Sequence, residues 1–302
     1  MKRYQRGLWI VVIAAMALAS WGCGAARKSG LCEEIGVPKA QAGDLIALEG
    51  AATAAWAERK DEAKLVEAIE NYRKAVATAP TKTENYVKLA KALYFWGDGY
   101  LRFQEKDEEM LKAFEEAISF AERALRIQNP EFTFSECAGD SFKETAKTIR
   151  RSDIPAIYWY AVALGKYGLA KSIVVVLNNK DKIAEMMKTT RRLDPAYHHG
   201  AADRYLGAFF TKIPFPKGDA AKSKRHFQRA IKRSPNYLAT RVLMAKMLAH
   251  KLPDGRKVFK EQLEYVINAP VDVIPELVPE HIIEKRKAKE LLKEIDDRYP
   301  QE

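Results

Sequence analysis

The sequence predicts an all-α protein built from stacked antiparallel helix pairs, and two observations carry this prediction. From about residue 49 onward, apolar residues recur at steps of three and four, and long stretches lack proline and glycine. A short pattern of small and aromatic residues that ends in a proline recurs several times along the chain. The β-branched run "SIVVVL" at 172–177 is flanked by helix-like sequence, so we assign it to a buried helix.

The repeated pattern is clearest at residues 68–80, which read "AIENYRKAVATAP". Ala68, Tyr72, Ala75 and Pro80 follow the order of the second helix of a tetratricopeptide repeat (TPR). Degenerate copies stand at 117–130, at 223–235 and before Pro195. Small residues let two helices approach while the aromatic fills the space beside them, and each pair buries its open face on the next. We therefore expect a TPR-like array of about four to five degenerate repeats.

The C-terminal stretch 279–299 carries apolar residues on one stripe and charges elsewhere. This pattern predicts a capping helix with a polar outer face, as a stacked array requires. The residues expected to point inward are Ile283, Ala288, Leu291, Leu292 and Ile295.

Composition limits the classes of function. The 302 residues are 47% hydrophobic and 30% charged, with a formal net charge of +11. Because no arm or motif concentrates the basic residues, a solvated helical surface explains the charge better than nucleic-acid binding does. Attraction to an anionic membrane surface or to an acidic partner stays open.

Residues 1–22 have the layout of an export signal, with a basic start followed by thirteen mostly apolar residues. The run is too short for a comfortable permanent membrane span. Cys23 follows directly, as in the lipobox of bacterial lipoproteins, although Ser20 stands where leucine is usual. We expect Cys23 to be lipidated, since two acyl chains would attach the protein firmly. An ordinary cleaved signal with a chance cysteine is the alternative.

The mature chain divides into two parts. Residues 23–48 are rich in Gly, Ala and Pro and predict a flexible tether, and residues 49–302 predict a single helical domain. Cys32 and Cys137 could pair in an exported protein, but their spacing alone leaves a disulfide undecided.

The order of these motifs resembles the T component (TatT) family of tripartite ATP-independent periplasmic (TRAP) transporters. Three stretches carry the resemblance: "DIPAIYWYAVALGKYG" at 153–168, residues 191–238, and "EKRKAKELLKEIDDRY" at 284–299. The resemblance implies a lipid-anchored, periplasm-facing protein with a TPR-like body that forms oligomers. It also implies a partner, the periplasmic solute-binding protein (P component), and a part in delivering a hydrophobic ligand.

The adjacent histidines at 198–199 are the strongest candidates for metal ligands, but they do not make a complete metal site. Neighbouring residues on a helix point about 100° apart, so both cannot bind one ion comfortably. His199 and Asp203 could share a helix face, but a zinc site requires further ligands. We expect a helix-start or hydrogen-bonding role and no metal or cofactor. The sequence has no HExxH, GxSxG, phosphate-loop or paired CxxC motif, so we expect no enzyme.

Aromatic residues are the candidates for binding. Crowding in "ALYFWGDGY" (92–100) and "AIYWYA" (156–161) exceeds what one helix face can bury. We expect a ligand or partner cleft lined by Trp96, Tyr100, Trp159, Tyr205 and Phe209. The loop 211–219 places Phe215 between two prolines, either as a cover for a helix end or as a contact for the partner.

Two readings of the function follow. The first is a non-catalytic, lipid-anchored scaffold that binds the solute-binding protein of a TRAP transporter and helps to move its ligand. The second is a general TPR-like adaptor of an envelope assembly or secretion complex. An enzyme with an unrecognised site ranks below both.

Overall fold

A computed structural model describes residues 29–33, 36–213 and 218–300 of the chain. About 80% of the protein is helical, and the described residues contain fourteen α-helices and no strand. The α-helices are α1 (Leu45–Ala57), α2 (Glu62–Thr78), α3 (Thr83–Gly99), α4 (Asp107–Gln128), α5 (Pro130–Cys137), α6 (Phe142–Thr145), α7 (Ile154–Lys171), α8 (Ile173–Leu193), α9 (Tyr197–Lys212), α10 (Ala220–Arg233), α11 (Leu238–Leu248), α12 (Gly255–Asn268), α13 (Val278–Lys293) and α14 (Ile295–Arg298). The prediction of an all-α fold is confirmed.

Helix starts follow local capping chemistry. The side chains of Asp44, Asp61, Ser172 and Asp219 each accept a hydrogen bond from a backbone N–H in the first turn of the helix that follows. These bonds satisfy donors that the helix itself cannot satisfy. Proline occupies the first turn of α5, α7 and α13, where its missing N–H costs nothing.

Consecutive helices pack against each other in chain order, with close pairs α1/α2, α3/α4, α7/α8 and α9/α10. The small and aromatic positions of the sequence pattern are buried at these contacts, among them Tyr72 in α2 and Phe227 in α10. A Cβ added to Gly207 of α9 would lie 2.7 Å from the Phe227 ring, so only glycine allows this approach. The assignment of these pairs to the TPR class stays a prediction.

The run 172–177 begins α8, so its helical assignment is confirmed. Its predicted burial is wrong in part, because Ile173 and Val174 are 59% and 55% exposed while Val175 is buried. These two residues lie in the first turn of α8, directly after the end of α7.

The N-terminal segment is held on the helical body. Residues Gly30–Cys32 form a short 3₁₀-helix within the predicted tether, and Cys32 forms a disulfide with Cys137 at the end of α5. The Glu122 carboxylate of α4 accepts hydrogen bonds from Ser29 Oγ at 2.9 Å and from the Gly30 N–H at 3.1 Å. Covalent and polar contacts thus join this segment to α4 and α5.

Helix α13 brings the two ends of the array together. It packs on α11 and α12, and its Glu280 pairs with Arg59 in the link between α1 and α2. Ile283, Ala288 and Leu291 are buried, while Leu292 and Ile295 pack at the edge of the C-terminal core. The helix predicted as an end cap therefore also forms a wall of the interior.

Candidate ligand-binding cavity

Helices α3, α7, α9, α11 and α13 surround a cavity of about 470 Å³. This volume falls within the range of small-molecule sites in proteins. One stripe of α9 faces it at helical spacing, formed by Ala201, Arg204, Tyr205, Ala208, Phe209 and Lys212. The cavity therefore combines aromatic and charged groups on the same wall.

Three of the five aromatic residues predicted to line a cleft meet in this cavity, namely Trp159, Tyr205 and Phe209. Trp159 comes from α7, and the other two come from successive turns of α9. The i, i+4 spacing of Tyr205 and Phe209 puts both rings on one helix face. The structure thus joins two stretches that lie 46 or more residues apart in the sequence.

The other predicted residues lie elsewhere. Trp96 Nε1 donates a hydrogen bond to Glu62 Oε1 at 2.9 Å, and the Tyr100 hydroxyl donates one to the Arg59 carbonyl at 2.6 Å. These contacts tie α3 to α2 and to the α1–α2 link, away from the cavity lining. Phe215 of the predicted partner loop and the lipidation candidate Cys23 lie outside the described residues.

A buried charge cluster lies on one wall of the cavity. Asp98 accepts hydrogen bonds from the ammonium groups of Lys166, at 2.5 Å, and Lys287, at 2.7 Å. Lys287 also donates to Glu284 at 2.8 Å. Burial alone would raise the pKa of Asp98, but the two ammonium groups hold the pKa well below its ordinary value. Asp98 is therefore an ionised carboxylate at neutral pH.

The histidine pair adopts a backbone that the sequence did not predict. His198, His199 and Gly200 have φ values of 42°, 59° and 73°, so all three lie in the left-handed region and form a left-handed turn at the start of α9. Residues other than glycine are strained there, and such strain is typical of functional sites. Both histidines lie in the first turn of α9 and their carbonyls accept hydrogen bonds from Arg204, so a helix-start or hydrogen-bonding role stays our prediction for them.

The left-handed turn is packed inside aromatic rings. The His198 ring lies 5.3 Å from the centre of Trp159 and 5.4 Å from that of Tyr158, and His199 stacks on Tyr237. Burial, with Arg204 and Lys91 nearby, lowers the pKa of His198 well below its ordinary value, so the ring is neutral.

Neither histidine forms the ligand set of a metal site. Asp203, which the spacing could have placed with His199, instead lies 2.7 Å from His226 Nδ1 of α10. Across the described ranges, no group of three or more His, Cys, Asp or Glu side chains could hold a metal ion.

The basic residues of the cavity escaped the sequence analysis, among them Lys91, Arg204 and Lys246. The stripe of α9 could have revealed Arg204, because it shares a helix face with Ala201, Tyr205 and Ala208. The other two could not be recognised, since their helices meet α9 only in the tertiary structure.

The fold and the cavity define a class: an all-α protein of packed helix pairs with an interior chamber. A family model, TRAP transporter T-component, matches residues 64–299 of this chain. The chain belongs to that family and is an accessory component of a TRAP transporter, which associates it with the cell envelope. The family is one of transport accessories and is not known as enzymatic. A search of curated proteins found no match.

Within the part of the chain that the structure describes, no helix combines the length and apolar character needed to cross a bilayer.

Proposed function

We propose that this protein is a non-catalytic, lipid-anchored scaffold facing the periplasm, which binds the solute-binding protein of a TRAP transporter and assists delivery of a ligand with a hydrophobic part. The observation that carries this proposal is the cavity of about 470 Å³ inside a member of the T-component family. Trp159, Tyr205 and Phe209 offer apolar surface to such a ligand.

The partner surface is proposed at the rim of the same cavity. Leu169 at the end of α7 lines the cavity and is 46% exposed, and Ile173 and Val174 follow it on α8 with larger exposed fractions. A cluster of exposed apolar side chains is typical of a protein-interaction site. A partner seated here would cover the entrance through which a ligand passes.

Photocrosslinking in the native envelope tests the partner. A photoreactive residue at position 173 or 215 should capture the solute-binding protein, identified by mass spectrometry. The matched control is position 134, because Phe134 is an exposed apolar residue, as Ile173 is, but lies on α5, away from the cavity lining. Capture of envelope assembly or secretion factors, without a solute-binding protein, would favour the general adaptor.

Two further parts of the proposal have their own measurements. Labelling cells with an alkyne fatty acid should mark the wild-type protein and not the Cys23→Ala variant, if Cys23 carries the anchor. Sedimentation of the protein without residues 1–23 should show the proposed homo-oligomer. A monomer at all concentrations would remove self-association from the proposal.

A further inference from the structure

The basic side chains of the cavity outnumber the acidic ones, nine to five. Each of the five carboxylates already has a basic partner. The pairs are Asp98 with Lys166 and Lys287, Glu280 with Arg59, Glu284 with Lys287, Glu290 with Arg286, and Glu294 with Arg298. The excess positive charge therefore belongs to side chains that the protein's own carboxylates do not neutralise.

Arg204 is the most buried of these cations, with 6% of its surface exposed. It donates hydrogen bonds to the carbonyls of His199 at 3.1 Å and His198 at 3.3 Å, and to the Tyr158 hydroxyl at 3.3 Å. No carboxylate of the described residues lies within salt-bridge distance of it. Burying a guanidinium without a counter-charge is costly, so a fold that does so needs a compensating partner.

The left-handed turn explains how Arg204 is held. Because His198, His199 and Gly200 curl with positive φ, two successive carbonyls turn toward the guanidinium one helical turn later. The face of the guanidinium also lies 4.3 Å from the centre of the Tyr237 ring. The two carbonyls and the ring stacking thus hold the guanidinium at the cavity wall, where its positive charge attracts an anionic group.

Lys91 adds a second positive charge at this end. It lies over Trp56 at 4.8 Å and near Trp159 at 6.0 Å, and no carboxylate of the described chain forms a salt bridge with it. The Trp159 ring links Lys91 to the left-handed turn that holds Arg204, because its centre lies 6.0 Å from Lys91 Nζ and 5.3 Å from the centre of the His198 ring. Burial lowers the pKa of Lys91, with the Glu280 carboxylate opposing the shift and Arg59 adding to it.

The apolar wall continues from these cations. Tyr205, Ala208 and Phe209 follow Arg204 along the cavity stripe of α9, and Leu243 of α11 also lines the chamber. A ligand with its acidic end at Arg204 could therefore lay an apolar body along this stripe.

We propose that the cavity binds an amphipathic carboxylate, with the carboxylate held by Arg204 and Lys91 and the apolar body lying against Trp159, Tyr205 and Phe209. This inference rests on the proposed function, because it names the chemical class of the ligand that the protein would carry. Arg204 is assigned as the residue that selects for the acidic headgroup.

Isothermal titration with three probes of equal chain length tests the charge preference. The probes are dodecanoate and dodecyltrimethylammonium, each below its micelle concentration, and dodecanol, below its solubility limit. We expect dodecanoate to bind at least about tenfold more tightly than the other two, since hydrogen bonds to charged groups are stronger than neutral ones. Equal affinities, or a preference for the cation, would overturn the inference.

Substitutions in the cavity identify the residues that cause the preference for a carboxylate headgroup. Arg204→Met and Lys91→Met should each reduce dodecanoate affinity about tenfold and leave dodecanol affinity unchanged, with circular dichroism and melting curves showing that the variants fold. If Arg204→Met does not fold, Lys91→Met decides, because Lys91 is only half-buried. Lys88→Met is the matched control, an exposed lysine one turn earlier on α3 that does not line the cavity. An unchanged dodecanoate preference in the folded Lys91→Met protein would contradict the assignment.

The titrations and the crosslinking experiment together distinguish failure of this inference from failure of the proposed partner. Selective dodecanoate binding without capture of a solute-binding protein would support the ligand class and remove the partner. Capture of the partner with equal binding of all three probes would support the scaffold and refute the carboxylate site.

Discussion

Arg59 and Glu280 form a buried ion pair across 221 residues of sequence, with Arg59 Nη2 and Glu280 Oε2 2.6 Å apart. The same guanidinium donates to the Glu276 carbonyl at 2.6 Å. This pair joins the link between α1 and α2 to the start of α13, so the first and last parts of the array close on each other. Glu280 also lines the cavity, so this contact lies at its wall.

Removing one partner of this pair should weaken the whole fold. Arg59→Met leaves the Glu280 carboxylate buried without its counter-charge, so we expect the free energy of unfolding to fall by about 3 kcal/mol. Urea unfolding followed by circular dichroism measures the change. Lys257→Met is the control, because its pairing with Glu261 is exposed and should contribute less than about 1 kcal/mol. Equal effects of both variants would contradict the role given to closure.

Asp98 should contribute stability that depends on pH. Asp98→Asn leaves two ammonium groups without their carboxylate, and we expect a loss of about 3 kcal/mol at pH 7. The folded-state pKa of Asp98 lies below its ordinary value of 3.8. As the pH falls, Asp98 is therefore protonated in the unfolded chain before it is protonated in the folded protein. The stability that Asp98 adds to the wild type should be fully present above about pH 4 and should decrease at lower pH.

Unfolding curves of the wild type and Asp98→Asn between pH 3 and pH 8 check this dependence. Glu264→Gln serves as the control, since Glu264 pairs with Lys260 on the exposed face of α12. A difference between wild type and Asp98→Asn that grows toward low pH would be opposite to the expected sign.

The disulfide between Cys32 and Cys137 closes a loop whose ends are 105 residues apart. Replacing both cysteines with serine should lower the free energy of unfolding by about 4 kcal/mol, since the crosslink restricts the unfolded chain. A reductant should produce a similar loss in the wild type and no further loss in the double variant. A reductant effect that persists in the double variant would show that another thiol is responsible.

Gly200 should not tolerate a side chain. Its φ of 73° lies in the left-handed region, so Gly200→Ala should destabilise the protein by about 1 to 2 kcal/mol. Gly50→Ala is the matched control, because Gly50 lies within α1 and an added Cβ would meet no atom within 4 Å. We expect that change to stabilise by up to about 1 kcal/mol. Thermal melts should therefore shift in opposite directions, and parallel shifts would contradict the turn geometry.

Binding of the proposed carboxylate ligand should weaken as the pH rises through 8. Lys246 lines the cavity but remains reachable by solvent. Partial burial, then repulsion from Lys166 and Arg102, lowers its pKa to about 8, with Asp98 opposing and Lys287 adding to the shift. Above that pH its ammonium group loses its charge, and the attraction for an anion falls.

Dodecanoate titrations at pH 7 and pH 9 measure the change. In Lys246→Met the affinity should be lower at pH 7 and nearly independent of pH over this range. The same pH dependence in wild type and variant would assign the effect to another group.

The sequence by itself determined the helical class, the small and aromatic packing positions and the family. These features depend on residues within one or two helical turns of each other, so the spacing of apolar, small and aromatic residues along the chain is enough to predict them. Trp159, Tyr205 and Phe209 could be recognised as binding candidates because aromatic crowding is visible in the sequence. Trp96 and Tyr100 share that crowding but lie in structural hydrogen bonds, and the sequence offered no means to separate the two cases.

Only the tertiary structure decided the closure of the array, the disulfide and the basic character of the cavity. Each depends on groups that meet across long separations, such as Arg59 with Glu280 and Asp98 with Lys287. The left-handed turn at His198 and His199 also needed the whole fold, since surrounding rings and Arg204 stabilise a backbone that these residues disfavour locally. Local propensity cannot encode a conformation that is favourable only after distant helices have packed around it.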